Sequence, residues 1–295
     1  MVLQLLINAG MILVLVIPAI RYRPMEIGMS KVLHANGINI HYHLDARKDG
    51  DTGAPVVMLS NSLMSSYPMW DDQIDELTEH FQVLRYDTRG HGGTDAPTGP
   101  YSIELFVNDA ISLLDELEIR EVHFTGLSMG GFIGQLIAIR HPDRIKSLTL
   151  CDTACVMPPP SLWDDRIATA ERDGIEALID GTLGRWFTGP FRQENPEAIE
   201  RIVNMIKATP VEGYVNCAKA IRDMDQCAML NQITAPTNII VGDCDPACPV
   251  SAAETLHAGI AGSRMVVLKD AAHLPNIEKR VEFNRAFLDF LTEQI

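Results

Sequence analysis

The chain has 295 residues, of which 46% are hydrophobic and 21% charged, enough for one large core or for a core that carries an inserted lobe. Its formal net charge of −15 gives a surface that repels phosphate backbones and anionic lipid headgroups, so we expect no nucleic-acid partner. The six cysteines form no C-x-x-C pair, and we predict reduced thiols that pack as small apolar side chains, without a metal site.

The first 28 residues are mostly apolar and have two interpretations. The segment MVLQLLINAGMILVLVIPAI would form a helix of about 30 Å, just long enough to cross a bilayer. Arg21 and Arg23 follow it, and the positive-inside rule would then hold the remaining chain in the cytoplasm. Because the globular pattern starts only at Met29, we favour the second interpretation, in which residues 1–28 are an over-called start. We predict a cytoplasmic protein, with a cytoplasm-facing membrane anchor as the alternative.

Strand patterns and helix patterns alternate along the rest of the chain. Asn36-Gly37 is a hairpin signal between the strand patterns KVLHA and INIHYHLD. Short apolar runs predict six more strands, at PVVMLS, FQVLRYD, EVHFTGL, IKSLTLCD, TNIIVGD and RMVVLK. The clearest helix runs from Ser102, a suitable N-cap, to Leu117. This alternation predicts an α/β fold: a mainly parallel, twisted sheet with helices on both faces, begun by an antiparallel hairpin.

The alternation is interrupted once, after Pro158-Pro159-Pro160. No strand pattern follows until Thr237, and the intervening sequence has helical periodicity. We therefore predict a helical cap over residues 158–230, inserted into a core formed by residues 29–157 and 231–295. Ligands of open α/β sheets bind beyond the carboxyl ends of the strands, so such a cap would roof the site.

Ser128 is the predicted nucleophile. It occupies the centre of the G-x-S-x-G pattern from Gly126 to Gly130, directly after the strand EVHFTGL and before the helical segment GGFIGQLIAIRH. A strand that turns this sharply into a helix strains the serine backbone and exposes its oxygen, and only glycines fit on either side.

A serine nucleophile needs a base, and the base needs an orienting acid. In this architecture the chain order is serine, acid, histidine. His273 follows the last strand and fits the base. Asp243 and Asp245 both follow the strand TNIIVGD, and the residue pattern leaves either as the acid. We interpret His91, in the segment TRGHGGT, as a structural loop residue.

Backbone N–H groups should stabilise the developing oxyanion. One belongs to Met129, directly after the nucleophile. The other is expected in the loop NSLMSS, which follows the strand PVVMLS.

Five segments in the same order resemble the 3-oxoadipate enol-lactonases, α/β-hydrolases of the β-ketoadipate pathway. They are LSNSL with Met69-Trp70 after it, VLRYDTRGHG, GLSMGG, GRWFTGPF and ATPVEGYVNCAKAIRDMD. The resemblance extends from Met29 to Ile295. Asn61-Ser62 stands where most α/β-hydrolases have His-Gly, and this difference is part of the resemblance.

The resemblance implies a complete catalytic set. It selects Asp245, because GDCDPACP aligns with the family pattern G-x-x-D-x-x-T-P, with Cys248 in place of the usual threonine. Met64 stands where these lactonases commonly have glycine, which alters the pocket near the oxyanion loop. The implied set is Ser128 as nucleophile, Asp245 as acid, His273 as base, and Leu63 and Met129 as backbone donors to the oxyanion.

The implied substrate is a five-membered enol-lactone that bears an acetate arm, opened without a metal or organic cofactor. The acetate calls for a local cation, and Arg166 and Arg185 are the candidates. The further residues expected to line the substrate site are Asn61, Ser62, Trp163 and Trp186. Another Ser-His-Asp hydrolase, such as a carboxylesterase or a carbon–carbon bond hydrolase, and a non-enzymatic ligand-binding protein of the same fold are the alternatives.

Overall fold

The computed structural model describes residues 30–157 and 159–295. Both interpretations of residues 1–28, as an anchor or as an over-called start, therefore concern a part of the chain outside the described residues. Within the described residues, every helix is too short or too polar to cross a bilayer.

The described residues contain one sheet of eight strands, in the order β1-β2-β4-β3-β5-β6-β7-β8. β1 pairs antiparallel with β2, and β2 pairs antiparallel with β4, whereas the remaining neighbours are parallel. The strands are β1 Lys31–Ala35, β2 Ile38–Asp45, β3 Val56–Ser60, β4 Gln82–Tyr86, β5 Val122–Leu127, β6 Ile145–Cys151, β7 Thr237–Gly242 and β8 Arg264–Leu268. The predicted hairpin and mainly parallel sheet are confirmed.

The burial of each strand reflects how many faces of it are covered. Successive side chains of a strand point to opposite faces of the sheet. Every residue of β4, β5 and β7 is buried, so both faces are covered there. Buried residues alternate with exposed or half-buried ones along β2, and all of β1 except its last residue is exposed or half-buried. The continuous apolar runs in the sequence correspond to the doubly covered strands.

Helices supply this cover. The N-cap Ser102 accepts a hydrogen bond from the backbone N–H of Leu105, as predicted. One helix, residues 129–140, packs against β3, β5 and β6, and the last helix packs against β7 and β8. The α-helices are α1 Asp71–Leu77, α2 Ile103–Glu116, α3 Met129–Arg140, α4 Pro160–Asp173, α5 Ile179–Trp186, α6 Gly189–Glu194, α7 Pro196–Lys207, α8 Val211–Asp223, α9 Val250–Gly259, α10 Pro275–Glu278 and α11 Arg280–Thr292.

Helices α4 to α8 lie between β6 and β7, and we call them the cap. Their contacts reach the loops at the carboxyl ends of the strands. In α5, the Trp186 carbonyl accepts a hydrogen bond of 3.2 Å from the N–H of Leu274, which follows β8. In α7, Arg201 forms an ion pair of 2.9 Å with Asp72, which follows β3. The cap therefore lies over the edge where the parallel strands end.

The prediction that all cysteines are reduced is wrong for two of them. Cys155 and Cys227 form a disulfide with a Cα–Cα distance of 4.9 Å. They flank the cap, where an isolated β-bridge pairs Val156 with Asp225 and brings the two ends of the cap together. Spacing in the sequence could not reveal this pair, because the two residues are 72 positions apart. Cys151, Cys217 and Cys248 are buried free thiols, and Cys244 is exposed.

We expect the disulfide to stabilise the folded protein by restricting the unfolded chain. Dithiothreitol should lower the free energy of unfolding in urea by roughly 2–4 kcal/mol, the usual effect of removing such a cross-link. The double variant Cys155→Ser, Cys227→Ser should show the same loss without dithiothreitol and no further loss with it. Cys244→Ser serves as the control. If the wild-type unfolding curve is the same with and without dithiothreitol, the prediction is contradicted.

Candidate active site

Ser128 lies in a strained turn between β5 and α3. Its backbone has φ 54° and ψ −112°, in a region that a residue with a side chain rarely adopts. The strain is held by hydrogen bonds on both sides. The Ser128 N–H donates to the carbonyl of Cys151 at 2.9 Å, and its own carbonyl accepts from Gly131 N–H at 2.9 Å and from Thr153 Oγ1 at 2.8 Å. The turn therefore keeps one backbone geometry.

The two glycines of the G-x-S-x-G pattern are required by close backbone contacts. A Cβ atom at Gly126 would lie 2.1 Å from the carbonyl oxygen of Gly130. A Cβ atom at Gly130 would lie 2.3 Å from the carbonyl oxygen of Ser60, at the end of β3. Any larger residue at either position would push α3 away from the sheet and move Ser128 with it.

The loop after β3 is tied to the first turn of α3. Gly130 N–H donates to the carbonyl of Asn61 at 3.0 Å. On either side of that bond, the N–H groups of Leu63 and Met129 have no hydrogen-bond acceptor among residues 30–157 and 159–295. Met129 is also the first residue of a helix, where the partial positive charge of the backbone favours an anion. This pair of N–H groups can stabilise an oxyanion.

Asn61 and Ser62 are both buried in this loop. The Asn61 side chain donates to the carbonyl of Tyr86 at 2.7 Å and accepts from the indole N–H of Trp70 at 3.0 Å. The Ser62 carbonyl accepts hydrogen bonds from both the N–H and the hydroxyl of Ser65. These bonds give the two residues a clear part in shaping the loop.

His273 and Asp245 contact each other at the same edge of the sheet. His273 Nδ1 lies 2.7 Å from Asp245 Oδ2, and both side chains are almost completely buried. The other carboxylate oxygen, Oδ1, accepts from Ala247 N–H at 2.7 Å. Since β5, β6, β7 and β8 are neighbouring parallel strands, the loops that carry Ser128, Asp245 and His273 lie side by side.

Asp243 has a different environment. Its Oδ1 accepts from the backbone N–H of Asp270 at 2.8 Å, and Lys269 Nζ lies 3.5 Å from its Oδ2. These contacts fix a turn near the protein surface. Of the two aspartates that the residue pattern left open, Asp245 is the one hydrogen-bonded to His273 in the described part of the chain.

Asp152 is a buried carboxyl that the sequence analysis missed. It directly follows β6, and its Oδ1 accepts from Gly242 N–H at 2.9 Å. No donor among the described residues bonds its Oδ2, and the side chain is in hydrogen-bond contact with the carboxyl of Asp245. Burial, and next the negative charge of Asp245, raise the pKa of Asp152 well above its usual range. The Asp152 carboxyl therefore keeps its proton to a higher pH in the folded protein than in the unfolded chain.

Two arginines of the cap have no acidic partner among the residues that the structure describes. Arg166 and Arg185 form no ion pair with any carboxylate of residues 30–157 and 159–295. Burial lowers the pKa of Arg166, and burial together with the charge of Arg166 lowers the pKa of Arg185 to about 10. Two nearby cations without a counter-ion can bind an anion.

The arginines are connected to the rest of the site. Arg185 donates to Thr182 Oγ1 at 3.1 Å, and that hydroxyl lies 3.9 Å from Met64 Sδ in the loop after β3. Arg166 lies over the ring of Trp163 at 5.0 Å. Trp186 is buried, and its carbonyl bonds the backbone beside His273.

Asp245, Cys248 and His273 are the group whose donor atoms lie close enough for a metal ion in the described chain, within 4.8 Å of one another. A metal would have to displace the hydrogen bond between Asp245 and His273. It would also have to ionise Cys248, whose pKa burial raises well above its usual range. The donors therefore suit a hydrogen-bonded acid–base pair better than a metal site.

Residues 55–280 match the model of the α/β hydrolase fold. The chain belongs to this family. This α/β hydrolase is 34% identical over 237 residues to 3-oxoadipate enol-lactonase 2 of Acinetobacter baylyi, a match that covers 80% of this chain and 88% of the relative. It is also 29% identical over 259 residues to RutD of Agrobacterium fabrum, a protein named for carbamate hydrolysis, with coverages of 85% and 98%.

Comparison with a solved structure supports the same family. The crystal structure of the enol-lactonase from Burkholderia xenovorans LB400 superimposes with a TM-score of 0.86 and 40% identity, and covers 89% of this chain and 100% of its own. The predicted α/β-hydrolase fold and the resemblance to 3-oxoadipate enol-lactonases are confirmed, and the protein is a hydrolase of this family.

We predict that Asp152→Asn stabilises the protein at neutral pH but not at acid pH. The carboxyl is protonated in both states below its unfolded pKa of about 4. Above that pH the unfolded chain releases the proton and the folded protein retains it, so rising pH lowers stability. An asparagine removes this loss and still accepts from Gly242 N–H. The melting-temperature difference between variant and wild type should grow as pH rises above about 4 and level off once the folded carboxyl itself titrates.

Circular dichroism at a series of pH values measures this difference. Asp243→Asn is the matched control, since Asp243 is near the surface and its hydrogen bonds lower its pKa despite partial desolvation. A melting-temperature difference for Asp152→Asn that is constant with pH contradicts a raised pKa of Asp152.

Proposed function

We propose that the protein is a serine hydrolase that opens 3-oxoadipate enol-lactone to 3-oxoadipate, a carboxylic ester hydrolase of the β-ketoadipate pathway. The hydrogen bond between His273 and Asp245, at the edge of the sheet where the Ser128 turn lies, carries the hydrolase part of this proposal. Similarity to the enol-lactonases of Acinetobacter baylyi and Burkholderia xenovorans supports the substrate. We also propose a small-molecule partner and a cytoplasmic location.

The hydrogen bond to Asp245 assigns the protons of His273. A carboxylate can only accept, so Nδ1 of His273 carries a proton. In the neutral ring Nε2 is then unprotonated and can remove the proton of the Ser128 hydroxyl. Asp245 keeps this tautomer and stabilises the imidazolium that forms. In this scheme Leu63 and Met129 donate their N–H groups to the oxyanion.

The reaction then has two steps. Ser128 Oγ forms a bond to the ring carbonyl carbon, and the ring carbon–oxygen bond breaks, so the leaving oxygen departs as an enolate that takes a proton and becomes a ketone. An enolate leaves more easily than an alkoxide, so the acid step makes a smaller demand on His273. Water, deprotonated by His273, next attacks the acyl-enzyme and releases 3-oxoadipate. These steps require no metal or organic cofactor.

Arg166 and Arg185 are proposed to bind the acetate arm of the lactone. They are partly buried cations in a protein whose formal net charge is −15, and no described carboxylate neutralises them. A carboxylate between them relieves their mutual repulsion and forms charge-assisted hydrogen bonds. Trp163 supports Arg166 through its ring, and the carbonyl of Trp186 accepts a hydrogen bond from Leu274 N–H beside His273.

Other serine hydrolases remain the alternative, because esters, carbamates and carbon–carbon bonds can be cleaved with the same three residues. The arginine pair favours an anionic substrate among them. The hydrogen bond between the buried side chains of Asp245 and His273 argues against a ligand-binding protein without activity.

We predict that the purified protein opens 3-oxoadipate enol-lactone with a much higher kcat/KM than p-nitrophenyl acetate. The small ester tests only the catalytic residues, because it lacks the acetate arm whose binding the cap can convert into rate. Loss of lactone absorbance in the ultraviolet and release of p-nitrophenol measure the two reactions. Ser128→Ala should abolish both.

The variants Arg166→Met and Arg185→Met distinguish binding of the acetate arm from the catalytic step. Each should lower kcat/KM for the lactone by about 10- to 100-fold, the value of a hydrogen bond to a charged group, and leave the small ester nearly unchanged. Equal kcat/KM values for the lactone and the ester would contradict the proposed lactonase activity, but they would leave the proposed serine hydrolase mechanism intact. Wild-type turnover by Ser128→Ala would contradict both the lactonase activity and the serine hydrolase mechanism.

We predict that Asp245→Asn lowers kcat by about 10⁴-fold, because an amide holds His273 in the wrong tautomer. Asp243→Asn is the control of identical chemistry two residues away and should keep nearly full activity. The p-nitrophenyl acetate assay and a melting curve measure both variants. A large loss in Asp243→Asn with little loss in Asp245→Asn would move the acid to Asp243.

A further inference from the structure

The loop after β3 contains a second strained residue, Met64. Its φ is 63°, in the left-handed region that favours glycine. Met64 is buried and directly follows Leu63, the proposed oxyanion donor. A methionine remains in this conformation only where its surroundings hold it there.

His91 supplies that support. Its Nε2 lies 2.9 Å from the backbone N–H of Met64 and accepts its hydrogen bond. The ring is almost completely buried, and its Nδ1 lies 3.3 Å from the carbonyl of Arg89. A backbone N–H can only donate and a carbonyl can only accept, so Nε2 is unprotonated and Nδ1 carries the proton.

The burial of His91 favours the same neutral form. Burial lowers the pKa of His91 to about 4, although the carbonyl of Arg89 and the charge of Asp87 act in the opposite direction. The thiol of Cys217, from α8, lies 4.0 Å from Nδ1. His91 is therefore a neutral acceptor at physiological pH.

The loop that carries His91 is rigid. The Asp87 carboxylate accepts from the N–H groups of Tyr67 and Gly93 at 2.7 and 2.9 Å. Arg89 forms two hydrogen bonds, of 2.8 and 2.6 Å, with the carboxylate of Asp109 in α2. Such paired bonds fix the geometry of the loop as well as its position.

The cap contacts the loop that carries His91. A Cβ atom at Gly213, in α8, would lie 2.1 Å from the carbonyl oxygen of Gly90, so the two backbones are in contact. This contact and the thiol of Cys217 place α8 directly behind the ring of His91.

We propose that His91 is a positioning residue of the oxyanion hole, which holds the peptide between Leu63 and Met64 and so aims the Leu63 N–H. This rests on the proposed hydrolase function but not on the lactone. The other side of Leu63 is fixed as well, because the Ser62 carbonyl accepts from Ser65 and the Ser62 N–H faces Met69 Sδ at 3.4 Å. The Ser62 carbonyl shares a peptide plane with the Leu63 N–H. With this plane and the following one both held, the Leu63 N–H has one direction available before substrate arrives.

Two amide variants test the acceptor atom. His91→Gln carries an amide oxygen that can reach the position of Nε2 and accept from Met64. His91→Asn reaches only the position of Nδ1, where it can donate to Arg89, and leaves Met64 without an acceptor. With p-nitrophenyl acetate, His91→Asn should have a lower kcat and a nearly unchanged KM. The loss of kcat should approach about 100-fold, which is the cost of removing one oxyanion donor. His91→Gln should retain most of the wild-type kcat.

Active-site titration with a covalent phosphonate counts the competent serines, so that kcat is compared per folded site. Wild-type kcat in His91→Asn, or equal losses in both variants, overturns the proposal. Ser128→Ala in the same assay separates this result from failure of the hydrolase function, because that function fails if Ser128→Ala stays active.

The wild-type protein gives a test that needs no variant. Long-range proton–nitrogen correlation spectra at pH 7 distinguish the two neutral histidine tautomers. We expect His91 with its proton on Nδ1 and an unprotonated Nε2. A proton on Nε2 would exclude the bond to Met64 N–H and overturn the proposal whether or not His91→Asn folds.

Discussion

The close approach of α3 to the sheet is the constraint on which the site depends. Because Gly126 and Gly130 have no Cβ atoms, the backbone of α3 can contact the carbonyls of the strands directly. This contact forces Ser128 out of the strand, gives it a left-handed backbone and leaves the Met129 N–H at the first turn of a helix. It also brings Gly130 N–H to Asn61, which ties the loop after β3 to the same turn. One steric fact therefore positions both the proposed nucleophile and the proposed oxyanion donors.

Local patterns predicted most of the fold. Asn36-Gly37 fixed the hairpin, because both residues accept the positive φ values of 47° and 77° that its tight turn requires. The apolar runs predicted the parallel strands, because strands covered on both faces have no polar side to expose. The order of Ser128, Asp245 and His273 was readable for a similar reason: neighbouring parallel strands end at one edge, so residues far apart in sequence are brought together by topology.

Features made by contacts between distant segments could not be predicted in this way. Asp243 and Asp245 are equivalent in the sequence, and only the path of the turn after β7 decides which one meets His273. No local pattern distinguishes Asp152 from an ordinary residue after a strand, and its raised pKa depends on burial and next on the charge of Asp245. The disulfide between Cys155 and Cys227 required knowing that the two ends of the cap meet. The sequence indicates a structural role for His91, and its hydrogen bond to Met64 N–H shows that this role is to support the loop after β3.

The strain of the described backbone is concentrated around the site. Of the six residues other than glycine with positive φ in the described chain, four lie just beyond the carboxyl end of a parallel strand: Met64, Ser128, Asp152 and Asp270. Of the other two, Asn36 lies in the hairpin between β1 and β2, and Glu118 lies after α2. Each strained residue near the site has a strong partner, such as His91 for Met64 or Gly242 for Asp152. Strain of this kind persists only where the surroundings determine it, and it fixes polar groups before substrate arrives. Polar groups fixed in this way need little rearrangement on binding.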